Sequence, residues 1–323
     1  MTKPIHVKPV VASSMQSTAV AEMPPSWRRW ISMQPRSQTV DAIRSDPSAL
    51  RIDLCRSAAR ALGAMTFVAA CALAAPAQAE SNEELAMQLS NPVAALISVP
   101  FQFNYDQDIG SARNGTRNRL NIQPVVPFDL NAEWNVISRT IVPLVWQDNI
   151  FPGAGSQSGF GDTVQSLFFS PKAPTAGGVI WGVGPVFLLP TGSNDLLTAD
   201  KWGAGPTGVV IRQQGPWTVR ALANHIWSFA GNSSRADVNA TFLQPFVTYT
   251  TRTATTFSLQ AESTYDWNGR QWAVPINTGV SQILRLGDQL VQVGVLARYW
   301  ASTSDQGPHG WGLRLNFTLL FPR

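Results

Sequence analysis

The sequence is short of cysteine, histidine, charge and long apolar runs, and each shortage excludes something. Its two cysteines, Cys55 and Cys71, both precede residue 80, so the chain beyond has no thiol and no disulfide framework. An oxidising compartment neither helps nor harms that part. No apolar run reaches about 18 residues except the Ala-rich stretch near 61–79, so a bundle of membrane helices is excluded.

The net charge of +4 is unevenly placed. Residues 1–79 hold 9 Lys/Arg against 4 Asp/Glu, a net of +5, whereas residues 80–323 hold 15 against 16, a net of −1. The basic character belongs to a segment expected to be lost, so no nucleic-acid partner is implied.

Arg56 and Arg60 precede the apolar stretch 61–75, which runs into Ala77-Gln78-Ala79 and then Glu80. A charged start, a short apolar centre and a small-residue exit make a secretory signal over residues 56–79. A single spanning helix is the competing reading; weakly apolar alanine and short length count against it. Val68-Ala69-Ala70-Cys71 also resembles a lipobox, which leaves lipoprotein processing as an alternative to cleavage after Ala79. Residues 1–55 are rich in Pro, Ser and Arg without periodicity, which reads as a disordered extension. Either translation starts later or the charged region is unusually long.

Ser81-Asn82-Glu83-Glu84 is a capping-box pattern, predicting a short periplasmic helix over Glu83–Ser90 within an 80–92 linker. From residue 93 the period changes to two. Twelve segments alternate apolar and polar residues: 94–106, 118–130, 134–147, 162–171, 178–190, 203–213, 217–229, 237–250, 254–267, 272–286, 290–301 and 310–321. In the last, Trp311, Leu313, Leu315, Phe317, Leu319 and Phe321 oppose Gly312, Arg314, Asn316 and Thr318. Strand side chains point alternately to opposite faces, so each segment has one greasy and one polar face.

A soluble sandwich would show the same alternation. Three features favour a closed, all-β, antiparallel transmembrane barrel of about twelve strands over residues 93–323. The segments exceed the five or six residues usual in soluble strands and suit the ~9–11 needed to span hydrocarbon at a tilt. Trp134 and Trp146 share a face twelve residues apart. At ~3.3 Å per residue and ~45° tilt that is about 28 Å, the spacing of two aromatic girdles. Trp181, Trp227, Trp267, Trp272, Trp300 and Trp311 also lie near segment ends, where amphipathic rings meet headgroups. Finally, tight connections (131–133, 172–177, 214–216, 251–253, 287–289) alternate with longer polar ones (107–117, 148–161, 191–202, 302–309), while 230–236 and 268–271 are short for outer loops. Tight turns inside place both termini in the periplasm, with outer-membrane lipid and the barrel-assembly machinery as partners.

The block Glu84-Leu-Ala-Met-Gln-Leu-Ser-Asn-Pro-Val-Ala-Ala-Leu-Ile-Ser-Val-Pro-Phe-Gln-Phe-Asn104 resembles the opening of the bacterial "MetA-pathway of phenol degradation" family. The resemblance continues through Gly182-Val-Gly-Pro185 and Gly203-Ala-Gly-Pro206. It implies an outer-membrane transporter, associated in some members with uptake of aromatic or other hydrophobic compounds, and it supplies no catalytic residues. Pro322-Arg323 departs from a common barrel ending, in which an aromatic is last; assembly signals would then rest on Phe317, Leu319 and Phe321.

Catalysis is poorly supplied. His225 and His309 are the histidines beyond residue 80. Asn224, His225 and Ser228 are close, yet residues 225 and 228 have opposite parity and face opposite sides of a strand. No His/Cys/carboxylate cluster has metal-ligand spacing and no cofactor is implied. The polar faces carry pore-lining candidates instead: Arg119, Arg139, Arg220, Arg285, Arg298 and Arg314, with Asp129, Glu262 and Asp266. Arginine ladders make a pore favour anions; the alternative is a salt-bridge network that plugs and stabilises a narrow barrel. Twelve strands lie between filled eight-stranded barrels and open porins, so a narrow or gated passage for small solutes is expected. Prolines 100, 124, 143, 185, 206, 245 and 275 fall inside segments, as bulges or as lateral gaps.

Overall fold

The computed structural model of the protein describes residues 79–91 and 96–321; the expected extension, 1–55, and all of the expected signal, 56–79, but Ala79 lie outside the described residues. A helix, α1 (Ala79–Leu89), precedes an all-β body. Its spanning strands are β1 (Ile97–Ile109), β2 (Gly115–Ile122 continued by Val125–Asp129), β3 (Trp134–Asp148) and β4 (Ser156–Phe160 continued by Thr163–Pro171). Next come β5 (Val179–Leu189), β6 (Lys201–Gln214), β7 (Trp217–Gly231) and β8 (Asn239–Thr250). The last four are β9 (Thr255–Ala261 continued by Ser263–Asp266), β10 (Gln271–Leu286), β11 (Gln289–Ser302) and β12 (Gly310–Phe321). Each pairs antiparallel with the next, and β12 returns to β1 in the register Phe101↔Phe317 and Asn104↔Arg314. The result is a closed barrel, which leaves no unpaired edge for lipid to meet.

Proline explains the three interruptions. The breaks in β2, β4 and β9 face Pro100, Pro143 and Pro275 on the preceding or following strand. Those prolines lack an N–H, yet their carbonyls still accept from Gln123, Gly161 and Glu262 at 2.8, 2.9 and 3.1 Å. The pairing resumes on both sides of each break, so these prolines loosen the ladder locally without parting it.

Alternation sorts the side chains as lipid demands. Phe128, Val183, Val210, Val219, Phe257, Leu259 and Leu315 point outward and are exposed on the barrel's surface. Tryptophans edge that band. Trp134 and Trp181 meet edge-on at 5.8 Å near one rim, with Trp217 and Tyr249 at 5.0 Å. Near the other, Tyr265 contacts Trp267 and Trp272, both at 4.9 Å, and Tyr299 contacts Trp311 at 4.9 Å. Trp300 breaks the expected pattern. It turns inward, where its Nε1 donates to Asp106 Oδ1 at 2.8 Å, and Tyr299 takes the girdle position beside it.

Two boundaries also differ from expectation. The connection expected at 107–117 shrinks to residues 110–114, because β1 and β2 continue through Asp106↔Arg117 and Ile109↔Gly115. The helix begins at Ala79 rather than Glu83.

Candidate functional site

The lumen has two unlike walls. On one, Arg314 of β12 is 1% exposed and reaches Glu262 of β9, with Nη1–Oε1 and Nη2–Oε2 distances of 2.7 and 2.6 Å. Its Nε donates to Asn104 Oδ1 of β1 at 2.7 Å. Arg298 of β11 lies beside this pair: its Nε is 3.0 Å from Asp106 Oδ1 as an ion pair, and its Nη1 is 3.5 Å from Glu262 Oε2. The Trp300 ring underlies the Arg298 guanidinium at 4.7 Å. Two arginines and two carboxylates thus neutralise one another across β1, β9, β11 and β12. Fork-to-fork geometry of this kind is the strong form of the ion pair.

The rest of the lumen carries four more arginines, on β2, β3 and β7; Arg117 stands in register with Asp106, but Asp106 is paired with Arg298. Arg117 Nε donates to Gln147 Oε1 at 2.9 Å, and Arg139 Nη2 to Gln123 Oε1 at 2.9 Å. Arg220 Nη1 donates to the Ser90 carbonyl at 3.2 Å, its guanidinium lies 4.1 Å from the Phe246 ring, and its Nε is buried without a partner among the described residues. The Arg119 carbonyl accepts from Asn104 Nδ2 at 3.3 Å, and neither its guanidinium nor that of any other arginine of this wall forms an ion pair among the described residues.

Below them the same side of the lumen is apolar. Ile137, Phe168, Val209, Ile211 and Leu222 form a buried cluster, with Val125, Ile180 and Phe242 against it. These residues sit on the inward parity of β2 to β8, which a uniformly wet channel would fill with polar side chains.

The end of the barrel that carries the tight turns, expected to face the periplasm, is occupied by α1. Ala86, 0% exposed, packs with Leu96, Ala254, Ile283, Leu290 and Leu320, flanked by Leu85 and Leu89. Across the lumen from that contact, Gln213 of β6 donates to the Met87 carbonyl at 2.8 Å, and Arg220 of β7 holds Ser90. The helix therefore bridges opposite walls. Between its C-terminal turn (Gln88–Asn91) and the arginines lies a chamber of about 360 Å³, lined in part by Arg119, Arg139, Arg220 and Glu262.

At the outer end, the segment 190–200 folds back on the rim. Asp162 holds it through Gly192 N, Thr198 Oγ1 and Ala199 N at 3.1, 2.6 and 2.6 Å, and Gln147 of the lumen reaches the Leu196 carbonyl at 3.4 Å. Arg235 clasps the carbonyls of Asp195 and Thr198. Nearby, Lys201 bonds Asp237 at 2.8 Å, which holds that exposed carboxyl below its ordinary pKa.

Of the nine candidates, six converge: Arg119, Arg139, Arg220, Glu262, Arg298 and Arg314. The other three share their parity but leave the lumen, because they occupy strand ends. Asp129 is exposed at the periplasmic rim and pairs with Lys172 at 2.7 Å; Arg285 is exposed at the same rim, and Asp266 at the outer one. Arg117 and Asp106 belong to the site and were not among the candidates. Their alternation was visible, but both lay at the edge of a segment.

The residues weighed for catalysis do not assemble. His225 faces outward, its Nδ1 2.7 Å from Thr241 Oγ1 and its ring 4.0 Å from that of Trp227. Ser228 bonds Asp237 and Val238 instead. His309 Nδ1 lies against the Gly307 and Asp108 carbonyls.

No family model and no curated protein matches the sequence. Among solved structures, the barrel is similar to an outer-membrane channel from Pseudomonas putida F1, with a TM-score of 0.57 at 14% identity over 70% of this chain and 96% of that one. It is less similar to the β domain of the Bordetella autotransporter BrkA, with a TM-score of 0.39 at 13% identity over 70% and 100% of the two chains. The outer-membrane phospholipase of Salmonella typhi gives 0.43 at 12% identity over 75% and 98%. At such identities the first likeness shows the fold, and the other two carry no argument about chemistry. A closed twelve-stranded barrel with a greasy outer band between two girdles is an outer-membrane protein.

Proposed function

We propose that this barrel is a narrow passive channel for small solutes, one that favours anions and accommodates apolar bodies. The carrying observation is the wall of four arginines, Arg117, Arg119, Arg139 and Arg220, none of which forms an ion pair among the described residues, the nearby Asp106 and Glu262 being engaged by Arg298 and Arg314. Fixed cationic side chains along a constricted lumen raise the local anion concentration and repel cations. The apolar strip from Ile137 to Leu222 supports the second half of the reading, since it offers a greasy body a surface inside an otherwise polar tube. Passage of hydrophobic or aromatic compounds fits both that strip and the sequence resemblance.

The test is planar-bilayer conductance of protein extracted from outer membranes, with the reversal potential read in a salt gradient. Stable steps with anion preference are expected, and Arg→Gln at positions 117, 119, 139 and 220 together should abolish the preference. A folded, inserted protein that stays electrically silent would sink the open-channel reading.

The docked helix favours a second reading, a barrel held shut or purely structural, and silence in that experiment would support it. The lipid-modifying enzyme has weaker footing. The hydroxyl within reach of His225 is that of Thr241, which also accepts from Trp267 Nε1 at 2.8 Å, and Ser228 is engaged elsewhere.

A further inference from the structure

We infer that the periplasmic-side chamber is a binding site for an organic carboxylate with a small apolar body, held by Arg119 and Arg220 with Arg139 beside them. The inference rests on the channel reading and names the solute class for it. Three observations carry it. The chamber, about 360 Å³, lies within the ~300–1,000 Å³ typical of small-molecule sites.

Its cationic side is unsatisfied. Arg220 Nε is buried with no hydrogen-bond partner among the described residues, and the Arg119 guanidinium forms no ion pair among them. A buried donor without an acceptor is costly, so the unbonded Nε of Arg220 beside a second guanidinium marks a place where an anion belongs. The one carboxylate on the lining, Glu262, cannot serve, because Arg314 occupies both of its oxygens. Guanidinium forks match a carboxylate's two oxygens geometrically as well as electrostatically.

Amides and hydroxyls make up most of the remaining lining, and an apolar strip runs among them. Val125, Ile141, Leu222, Phe242, Phe246 and Leu296 all face the chamber. Arg220 lies over the Phe246 ring, so the charged and apolar subsites share a border at that contact. An inorganic anion would leave this surface unused, and a neutral aromatic would leave the guanidinium groups unpaired. A benzoate-like anion satisfies both. The turn Gln88–Asn91 of α1 floors the site, so a bound solute would rest against the segment that occupies the end of the barrel with the tight turns.

The experiment is equilibrium titration of the detergent-extracted protein with benzoate, benzamide and acetate. Benzoate should bind saturably, and benzamide and acetate each roughly tenfold more weakly or worse. Arg119→Gln removes no ion pair and should weaken benzoate about tenfold while leaving benzamide unchanged; Arg220→Gln should act in the same direction. Absence of benzoate binding, equal binding of benzoate and benzamide, or an unchanged benzoate affinity in Arg119→Gln would overturn the proposal. Equal binding of acetate and benzoate would overturn its apolar half. The reversal-potential measurement separates the two readings. Anion preference without benzoate binding removes the site and keeps the channel, and benzoate binding in an electrically silent barrel does the opposite.

Discussion

Arg314 clasps both oxygens of Glu262 across the lumen, from β12 to β9, with 2.7 and 2.6 Å contacts. That strut spans two intervening strands and gathers Arg298, Asn104 and Asp106 around it. Each charge has an ionic partner, and Asn104, Asn277 and Gln244 meet further donors and acceptors.

The first prediction concerns removal of one side of the strut. Glu262→Gln leaves Arg314, 1% exposed, facing an amide and deprives Arg298 of a second acid. Breaking a buried pair from one side costs about 3–5 kcal/mol, whereas replacing both members with apolar residues costs far less. Glu262→Gln should therefore lower the urea midpoint of the lipid-inserted barrel strongly, and Glu262→Leu with Arg314→Met should recover much of the loss. Equal midpoints for all three proteins would show that the pair contributes nothing to stability.

A second prediction concerns the helix in the periplasmic mouth. Ala86 is fully buried against Ala254, Ile283, Leu290 and Leu320, and a carboxylate there would have no partner. Ala86→Glu should undock α1 and raise single-channel conductance several-fold, without altering the heat-modifiable electrophoretic mobility of the barrel. An unchanged conductance would mean that the helix does not restrict the path.

The strands were legible because lipid imposes one rule on all of them. All twelve segments match a spanning strand, including the last, where Trp311, Leu315, Phe317 and Phe321 face outward as expected. The interior was only partly legible. Parity identifies the face a residue takes but not its depth, which is why Asp129, Asp266 and Arg285 were grouped with Arg314 although they lie at the rims. Asp106 and Arg117 face each other in register, yet they were missed because the predicted segments stopped at 106 and began at 118. The entry of α1 into the mouth depends on contacts with residues more than a hundred positions away, such as Met87 with Gln213, and no local pattern encodes that.

Trp300 offers a third prediction, because the sequence suggested a girdle residue and the structure gives an internal donor. Trp300→Phe keeps the ring under Arg298 but removes the Nε1 hydrogen bond to the buried Asp106. Leaving a buried acceptor short of a donor costs about 1–3 kcal/mol. Trp311→Phe, on the outer girdle at 61% exposed, should change stability much less. Urea unfolding followed by fluorescence of the remaining tryptophans distinguishes the two; a larger loss at Trp311 would contradict the inward placement.

The Gly-Pro pairs that carry part of the family resemblance have a steric reason, and it yields the last prediction. Pro185 and Pro206 stand opposite each other on β5 and β6, and each is preceded by a glycine that lets the neighbouring strand come close. A Cβ on Gly205 would fall 1.8 Å from the His225 carbonyl oxygen, and one on Gly184 would fall 2.0 Å from that of Leu167. Both obstacles are backbone, which cannot swing aside as a side chain can. Gly205→Ala should therefore force β6 and β7 apart and destabilise the barrel by about 1–3 kcal/mol or more. Gly208→Ala on the same strand meets its nearest atom, Val183 Cγ1, at 3.6 Å, an ordinary contact, and should stay within about 0.5 kcal/mol of wild type. Unfolding midpoints of the two variants side by side decide the matter: if they coincide, close backbone approach is not what these glycines provide.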